Sequence, residues 1–483
     1  MDEDGEDGED GLSPFETEIT VMNVPMRTSL ILFGRGYRIQ RRIKMIENIS
    51  GFLWDGVLVL VLGTGIFMSV KIRFFQFIHF PLVLRHTFLS LFRKSSHESD
   101  GNSISQFQAL SAFLAASMGT GNIIGVAAAI LIGGAGAVFW MWVSAFLGMA
   151  VIYAENVLGT LFRYQSENGQ WIGGAPAYIS KGVNAKKIAV LFCVLCVLAS
   201  FGIGNMTQIN SIAEAAGESF GITPLLTGAV IAFGTGAVII GGIKRIGAIS
   251  AIIIPFITVA YIIAAIAVIC INFRQIPAAF SDIFSGAFGI RAGIGGVSGV
   301  LIKKAINIGF RRGIFSNEAG LGSAGLLHSA ANSKSPQIQG LWGMFEVFTD
   351  TVVCCTLTAL AVLVTNAHTL SGTAAGVIIK AFESCFGSYA NIFMTLSILM
   401  FAFATLIGWS YCGECCMRFV FGERGVKYYK YLFILIIPVG AVLKFGIVWD
   451  LSDIFNALMC LPNLFAVVLL HKHIGKITKS ELK

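Results

Sequence analysis

Residues 110–148 form a long apolar segment with a glycine-rich interruption near its start. Residues 119–125 read GTGNIIG, and three glycines with two short polar residues do not hold a helix straight. In hydrocarbon, a helix break persists only where the freed backbone groups face protein, water or a ligand. The interruption therefore predicts either a binding site at membrane depth or a close helix contact through small residues.

The composition places the whole chain in a membrane. Of its 483 residues, 55% are hydrophobic and 13% are charged, against about 25% charged in a soluble domain. The mean hydropathy is +0.77. We therefore predict an all-α polytopic membrane protein whose surroundings are the lipid bilayer. The net charge of +7 comes from short loops between apolar runs, so no nucleic-acid partner is expected.

The apolar runs predict about eleven transmembrane helices. An aromatic-rich stretch at 74–93 is expected to lie at the membrane interface. The expected spans are 52–70, 105–132, 135–163, 187–207, 223–241, 247–271, 306–332, 340–365, 388–416, 431–448 and 453–471.

Five regions follow from this pattern. Seven of the first ten residues are acidic, so residues 1–44 are predicted to be a disordered polar extension, with Met45 as an alternative start. An extra first helix and the interfacial stretch occupy 45–104, a first repeat 105–271, a second repeat 272–471 and a cytoplasmic tail 472–483.

Loop charge predicts the orientation in a bacterial cytoplasmic (inner) membrane. With the N-terminus outside and the C-terminus inside, most lysines and arginines fall in cytoplasmic segments. The outer segment before 306 is an exception, because it holds Arg274, Arg291, Lys303 and Lys304.

A second interruption occurs in residues 311–328, which read RRGIFSNEAGLGSAGLLH. Residues 316–320 can be laid over residues 121–125, since both contain an Asn followed three residues later by Gly. The two spans are five apart and cross the membrane in opposite directions. Interrupted helices at corresponding positions of inverted halves indicate the binding site of a secondary transporter.

The residues at the breaks suit a small zwitterion and a hard cation. Thr120 and Gly121 offer backbone N–H groups to a carboxylate, and Ser117, Met118 and Asn122 offer oxygens to Na⁺. Glu318 lies at the second break, where an intramembrane acid is either functional or a structural cap.

Other candidate features have packing as their alternative interpretation. Phe201 and Asn205 end one span, and Thr405 and Trp409 lie one helical turn apart in another. Two CxxC pairs, at residues 193 and 196 and at 412 and 415, lie inside apolar runs without neighbouring histidines. They are expected to be buried thiols and not a metal site. Glu155, Glu346, Asp350 and Glu414 are interpreted as vestibule or structural charges.

Several runs together resemble the alanine or glycine:cation symporter family. They are GGAGAVFWMWVSAFLG at 133–148, GGAPAY at 173–178 and RGIFSNEAGLGSA at 312–324. The resemblance covers roughly residues 45–475. It implies a fold like that of the bacterial leucine transporter, with a 5+5 inverted repeat and one extra N-terminal helix.

The resemblance also implies roles for individual residues. The backbone of Thr120 and Gly121 would hold the substrate carboxylate, with Asn122 and the Ser117 carbonyl at a first sodium site. The Ala115 and Met118 carbonyls with Thr405 would form a second sodium site. The family's small pocket would be closed by Phe201, Asn205, Thr405 and Trp409. From the breaks themselves, the predicted substrate-binding residues also include Asn122, Ser316, Asn317 and Glu318.

The predicted function is Na⁺-coupled symport of alanine or glycine into the cell by alternating access, with no catalysis. The alternatives are a proton-coupled transporter in which Glu318 carries the proton and, from another class, a membrane-embedded enzyme. Alanine, glycine and D-alanine all remain open as substrates, as do Na⁺ and H⁺ as coupling ions.

Overall fold

The computed structural model describes the backbone of residues 26–92, 106–165, 171–289, 297–331, 335–370 and 372–480. The chain divides into two units, one ending at Asn48 and the other beginning at Ile49. In the first unit the described backbone is helical from Met26. All the functional features below lie in the second unit.

The described chain is almost entirely helical. Its helices are α1 (Met26–Lys71), α2 (Phe75–Ile78), α3 (Phe80–His86), α4 (Gln106–Ser117), α5 (Ile124–Gly133), α6 (Gly136–Leu161), α7 (Ala175–Ala177), α8 (Lys186–Phe201), α9 (Thr207–Phe220), α10 (Pro224–Ile239), α11 (Gly242–Ile271), α12 (Ile276–Phe288), α13 (Val297–Asn317), α14 (Ser323–His328), α15 (Pro336–Val347), α16 (Thr356–Val364), α17 (Ala374–Phe386), α18 (Tyr389–Val442), α19 (Phe445–Leu469) and α20 (His471–Ser480).

Tighter and wider turns join some of these helices. The 3₁₀ turns are Phe88–Phe92, Thr120–Asn122, Phe273–Gln275 and Ala367–Thr369, and the π-helical segments are Tyr178–Gly182, Gly202–Met206 and Phe348–Cys355. Two-residue strands β1 (Tyr164–Gln165) and β2 (Trp171–Ile172) pair antiparallel, with Tyr164 opposite Ile172. This short pair is a small departure from the predicted all-α fold.

Seven helices in the described part of the chain are long and apolar enough to cross a membrane. They are Lys44–Lys71, Gly136–Leu161, Lys186–Phe220, Gly242–Ile271, Pro336–Val364, Tyr389–Val442 and Gly446–Leu469. The multi-pass helical architecture predicted from hydropathy is therefore confirmed.

The structure differs from the sequence-based expectation at several places. Residues 26–44 are helical where a disordered extension was expected. Arg, Leu, Met, Gln and Lys, which favour helix, make up much of this stretch. Residues 1–25 lie outside the described part. The amphipathic helices α12 and α17 were not predicted. At Gly422 (φ 67°, ψ −163°) α18 leaves helical geometry, between the expected spans 388–416 and 431–448.

Two packed groups of helices hold the interrupted segments. Helix α6 packs along α13, α14 and α15, whereas α18 packs against α4, α8, α9 and α10. Both groups contact the segments that precede or follow the breaks, which brings side chains from distant parts of the sequence to one place.

Candidate functional site

The first predicted break is present. Helix α4 ends at Ser117, a 3₁₀ turn covers Thr120–Asn122, and α5 begins at Ile124. Within the turn, the Gly119 N–H donates to the Ser117 carbonyl at 2.9 Å, and the Asn122 N–H donates to the Gly119 carbonyl at 3.3 Å. Thr120, Gly121 and Asn122 are all buried, so the polar groups of this turn face protein and not lipid.

The second predicted break is also present, with a different backbone. Helix α13 ends at Asn317 and α14 begins at Ser323. Between them Glu318, Gly320 and Gly322 have φ values of 57°, 93° and 79°. The Asn317 side-chain oxygen accepts from the Ala319 N–H at 3.1 Å, which closes the last turn of α13.

The two breaks are in contact. A Cβ placed on Gly121 would lie 3.3 Å from the Ser316 Cα and 3.2 Å from the Phe315 Cδ1. Glycine at this position lets the first break approach the backbone at the end of α13. The two interruptions are therefore parts of one buried region, as the sequence predicts.

Asp350 joins the two breaks through its carboxylate. The Asn122 amide donates to Oδ1 at 2.6 Å, and the Ser316 hydroxyl donates to Oδ2 at 2.7 Å. The neighbouring Thr351 hydroxyl donates to Oδ2 at 2.8 Å. Asp350 lies in the π-helical segment Phe348–Cys355, and wide turns of this kind are frequent at functional sites.

The Gln208 side chain accepts hydrogen bonds from Thr120 at the first break. Its Oε1 accepts from the Thr120 backbone N–H at 3.2 Å and from the Thr120 hydroxyl at 3.1 Å. Its Nε2 donates to the Ile203 carbonyl at 2.8 Å. The Thr405 hydroxyl donates to the Ala115 carbonyl at 2.8 Å, so α18 contacts the end of α4 directly.

Glu318 is held by the side chains of α14 and α18. The Trp409 indole N–H donates to Oε1 at 2.6 Å, and the Ser323 hydroxyl donates to Oε2 at 2.6 Å. Both carboxylate oxygens therefore accept a hydrogen bond.

Asn463 of α19 fixes the rest of the second break. Its amide donates to the Gly320 carbonyl at 2.9 Å and also to the Glu155 carboxylate. The Tyr178 hydroxyl donates to the Asn463 side-chain oxygen. All four residues are buried, so this network connects α6, α19 and the π-helical segment Tyr178–Gly182 to the interrupted backbone.

An aromatic and ionic cluster lies next to the region where the breaks meet. The Phe315 ring stacks on Trp449 with centroids 4.6 Å apart, and the Arg312 guanidinium lies 4.5 Å from the Trp449 ring centroid. Arg312 and Arg311 both pair with Asp453, at 3.0 Å and 2.6 Å. Phe315 touches Gly121, so this cluster covers the breaks from the α13 and α19 side.

The structure assembles most of the predicted site residues, but not all. Ala115, Ser117, Met118, Thr120, Gly121, Asn122, Ser316, Asn317, Glu318, Thr405 and Trp409 lie in the breaks or contact them through the hydrogen bonds above. Phe201 instead packs on Tyr429 and Phe433, and the Asn205 amide donates to the Phe433 carbonyl at 2.8 Å. These contacts are with the segment of α18 that follows Gly422.

Sequence reasoning missed Asp350 and Gln208 as members of the group. Asp350 was interpreted as a vestibule or structural charge, although an acid within the apolar span 340–365 is itself a signal of function. Gln208 follows the predicted span 187–207 directly. A helix that continues to Phe220 brings its amide back against Thr120.

The chemistry of this region favours a hard cation and an anion together. Within the described ranges, no three His, Cys, Asp or Glu side chains are arranged to hold a metal ion. A cation here would therefore be bound by carbonyl, hydroxyl and amide oxygens around one carboxylate, which suits Na⁺ better than a transition metal. The Asn122 Oδ1 is buried and has no hydrogen-bond partner among the described residues.

Known proteins resemble this chain over most of its length. A family model described as the sodium:alanine symporter family matches residues 40–481. The sodium/alanine symporter AgcS of Methanococcus maripaludis is 40% identical over 457 residues, which cover 91% of this chain and 99% of AgcS. The probable sodium/glutamine symporter GlnT of Bacillus subtilis is 37% identical and covers 89% of each chain.

One solved structure shares the fold. The crystal structure of MhsT in complex with L-phenylalanine superposes with a TM-score of 0.54, at 12% identity, over 79% of this chain and 100% of MhsT. At that identity the similarity concerns the arrangement of helices and not the ligand.

Proposed function

This chain belongs to the sodium:alanine symporter family, and from that membership we propose that it imports alanine or glycine together with Na⁺. Its class is established by the family: it is a multi-pass membrane protein and a secondary active transporter, not an enzyme. The substrate, the coupling stoichiometry and the residues that bind each solute are the content of the proposal.

The meeting of the two breaks through Asp350 is the observation that carries the proposal. One carboxylate receives Asn122 from the first break at 2.6 Å and Ser316 from the second at 2.7 Å. A cation bound beside Asp350 would attract oxygens from both breaks, because the carboxylate already lies between them. Binding of the ion would in this way draw the two interrupted helices together, which is the coupling a symporter requires.

The sodium ligands that we propose are oxygens at the first break and at Asp350. Asn122 Oδ1 is unpartnered, and the Asp350 carboxylate carries the negative charge that offsets the ion. A second ion would use the Ala115 and Met118 carbonyls with the Thr405 hydroxyl, which already contacts the Ala115 carbonyl. The proton-coupled alternative through Glu318 is less favoured, since both of its oxygens accept hydrogen bonds.

The substrate site that we propose is the place where Gln208 contacts Thr120. The Thr120 N–H and hydroxyl donate to a neutral amide oxygen, and a substrate carboxylate would make stronger charge-assisted bonds to the same donors. Trp409 packs on Gly204, next to the Ile203 carbonyl that accepts from Gln208, and its indole N–H donates to Glu318. Its bulk would restrict the substrate to a small side chain, which favours alanine or glycine.

We further propose the membrane topology that this mechanism needs. Two inverted five-helix repeats would follow one extra helix, for eleven spans in all, with the C-terminus in the cytoplasm of a bacterial inner membrane. The interrupted helices α4–α5 and α13–α14 would then occupy equivalent positions. Rocking of the group around α6 against the group around α18 would alternate access to the site.

Uptake of radiolabelled alanine into proteoliposomes tests the proposal. An inward Na⁺ gradient should drive accumulation of alanine and glycine, and unlabelled glutamine and D-alanine serve as competitors. Replacing Asp350 with Asn keeps its shape but removes the charge, and should weaken Na⁺ activation by about 100-fold, the equivalent of roughly 3 kcal/mol for a charged hydrogen-bond acceptor.

Asp55→Asn is the matched control, because Asp55 is an exposed carboxylate that pairs with Lys303 at the surface. Normal Na⁺ activation in Asp350→Asn would show that this carboxylate does not bind the ion. Uptake that does not depend on the Na⁺ gradient but is driven by a proton gradient would show that the coupling ion is H⁺ and not Na⁺.

A further inference from the structure

A buried histidine–glutamate pair lies away from Asp350 and the proposed substrate contacts. His328 is the last residue of α14, and Glu346 lies on α15. Their Nε2 and Oε2 atoms are 2.9 Å apart, and both residues are buried. The mechanism proposed above assigns neither of them a role.

With the Gln339 side-chain oxygen facing Nδ1, the contacts of His328 require one proton between each ring nitrogen and its partner atom. Nδ1 lies 2.7 Å from the Gln339 side-chain oxygen, and Nε2 faces the Glu346 carboxylate. Both partners are acceptors, so a neutral imidazole with one proton would leave two lone pairs facing each other at one of these contacts. One additional proton, shared between Nε2 and Oε2, satisfies both contacts.

The surroundings offer little to stabilise the pair without that proton. In the described part of the chain, Glu346 forms an ion pair with His328 but with no Lys or Arg. Glu346 Oε1, Gln339 Nε2 and Asn156 Oδ1 are buried and have no hydrogen-bond partner among the described residues. With the proton, the pair is neutral as a unit. Without it, one uncompensated charge would be buried, which is far more costly.

The pair joins elements on one side of the breaks. Helix α4 precedes the first break and α14 follows the second, so in antiparallel helices these two halves lie on the same side. The His328 ring packs on Phe113 of α4, with centroids 5.1 Å apart, and its hydrogen bonds reach Gln339 and Glu346 of α15. Separation of α4 and α14 would admit water to the pair.

Other titratable groups belong to the elements that pack against α14 and α15. Helix α4 carries none. Arg163, which follows α6, donates to the carbonyls of Ser329 and Ala331 beyond the end of α14. The neighbouring elements also carry Tyr153, Glu155, Glu318, Asp350, Cys354, Cys355, Tyr411, Cys412, Glu414, Cys415, Cys416, Arg418, Arg85, His86, His471, His473 and three lysines of α20, Lys472, Lys476 and Lys479.

We propose that His328 and Glu346 form a proton-binding site, separate from the sodium and substrate contacts, which holds one proton while α4, α14 and α15 are packed together and releases it when they separate. The proton passes from the pair to water on the side that opens, and no bond other than the N–H or O–H bond is broken. The ligand of this site is H⁺.

The sign of the pH dependence follows from the proton count. A hydrated imidazole loses its proton near pH 6.5 and a hydrated glutamate near pH 4.3. From about pH 6.5 up to the pH at which the packed pair itself loses its proton, the packed pair therefore holds one proton more than the separated pair. Over this range the packed conformation becomes less populated as the pH rises. For one proton, the ratio of the separated to the packed conformation rises by up to about tenfold per pH unit. Below about pH 6.5 both states hold the proton, and the dependence disappears.

The decisive experiment measures thermal unfolding of the purified full chain in detergent at a series of pH values, for the wild type and Glu346→Gln. Glutamine can donate its amide N–H to Nε2 of a neutral His328, so this variant keeps the contact without the extra proton. We expect the unfolding equilibrium constant of the wild type, divided by that of Glu346→Gln, to rise by up to about tenfold per pH unit above pH 6.5. Parallel curves would overturn the proposal.

Two further variants guard this comparison. Glu383→Gln, on an exposed position of α17, is the matched control and should follow the wild type. If Glu346→Gln does not fold, the double variant His328→Gln with Glu346→Gln replaces both ionisable groups and takes its place. A double variant with the wild-type pH dependence would also refute the site.

A transport measurement extends the test and rests on the proposed function. With equal pH on both sides and a fixed Na⁺ gradient, alanine uptake by the wild type should fall as the pH rises above neutrality, and uptake by Glu346→Gln should not. A pH-independent wild type would contradict the link to conformational change. Absence of alanine uptake in every variant would contradict the proposed function instead, and the unfolding comparison would still decide the proton site.

Discussion

The two breaks differ in their backbone conformation. The first turns through one 3₁₀ segment, and none of its residues 118–123, all of which the structure describes, has a positive φ. In the second, Glu318, Gly320 and Gly322 lie in the left-handed region. The partners differ as well. The Gln208 side-chain oxygen accepts a hydrogen bond from the first break, whereas at the second break the buried Glu318 carboxylate accepts hydrogen bonds from Trp409 and Ser323.

This difference indicates a division of labour between the two breaks. A neutral amide that accepts from a backbone N–H can be displaced by a carboxylate, since a charged acceptor binds the same donor more strongly. The second break contains its own carboxylate and is held by Asn463 through the Gly320 carbonyl. We therefore expect changes at the second break to affect folding first, and changes at the first break to affect binding first.

The largest expected effect is that of Gly322→Ala. Alanine at φ 79° costs about 1–2 kcal/mol, and its Cβ would lie 2.9 Å from the Asn463 side chain, where overpacking adds about 1–3 kcal/mol. We expect a large fall in folded yield and melting temperature in detergent. Gly221→Ala, at φ 65° with open space around it, isolates the backbone part. Equal losses in the two variants would show that Asn463 does not constrain the second break.

Gln208→Glu should produce the next largest effect, on binding. The added carboxylate would face Thr120 where we place the carboxylate of the substrate, and like charges in a buried site repel by several kcal/mol. Substrate affinity should fall by about 100-fold or more, measured by titration calorimetry in saturating Na⁺. The melting temperature should fall as well, because glutamate cannot donate to the Ile203 carbonyl as the Gln208 amide does. Gln275→Glu, at an exposed position, is the control. Unchanged affinity would place the substrate carboxylate elsewhere.

Trp409→Ala should change selectivity. Removal of the indole opens space beside the breaks, so uptake of larger neutral amino acids relative to alanine should rise by about tenfold, the scale of a few methylene groups in a pocket. Trp409→Phe keeps a ring but removes the donor to Glu318, and should lower stability without this shift in selectivity. If both variants keep the alanine preference of the wild type, Trp409 does not line the pocket.

Phe201→Leu should have the smallest effect. The contacts of Phe201 are with Tyr429 and Phe433, away from the breaks, so the ratio of glycine to alanine uptake should change by less than about twofold, within the error expected for an ordinary packing change. A larger shift would restore Phe201 to the substrate pocket that the family resemblance implies.

The two breaks themselves were predictable from the sequence because their signal is local. Glycines and short polar residues inside apolar runs weaken helices wherever they occur, and the interruptions appear at residues 118–123 and 318–322. Most of the hydrophobic spans could be located for the same reason. The amphipathic helices α12 and α17 were missed, since mean hydropathy does not identify a helix with one apolar and one polar face. Helix formation at 26–44 was missed because the acidic first ten residues dominated the interpretation of the whole extension.

The sequence by itself determined that the chain crosses a membrane many times and is interrupted at two places, because hydropathy and glycine content act over a few neighbouring residues. Only the tertiary structure decided which side chains meet there. Asp350 lies 228 positions from Asn122 and 34 from Ser316, and Gln208 lies 88 from Thr120. Contacts over such separations depend on how whole helices pack, and helix packing depends on the complementary surfaces of all of them together.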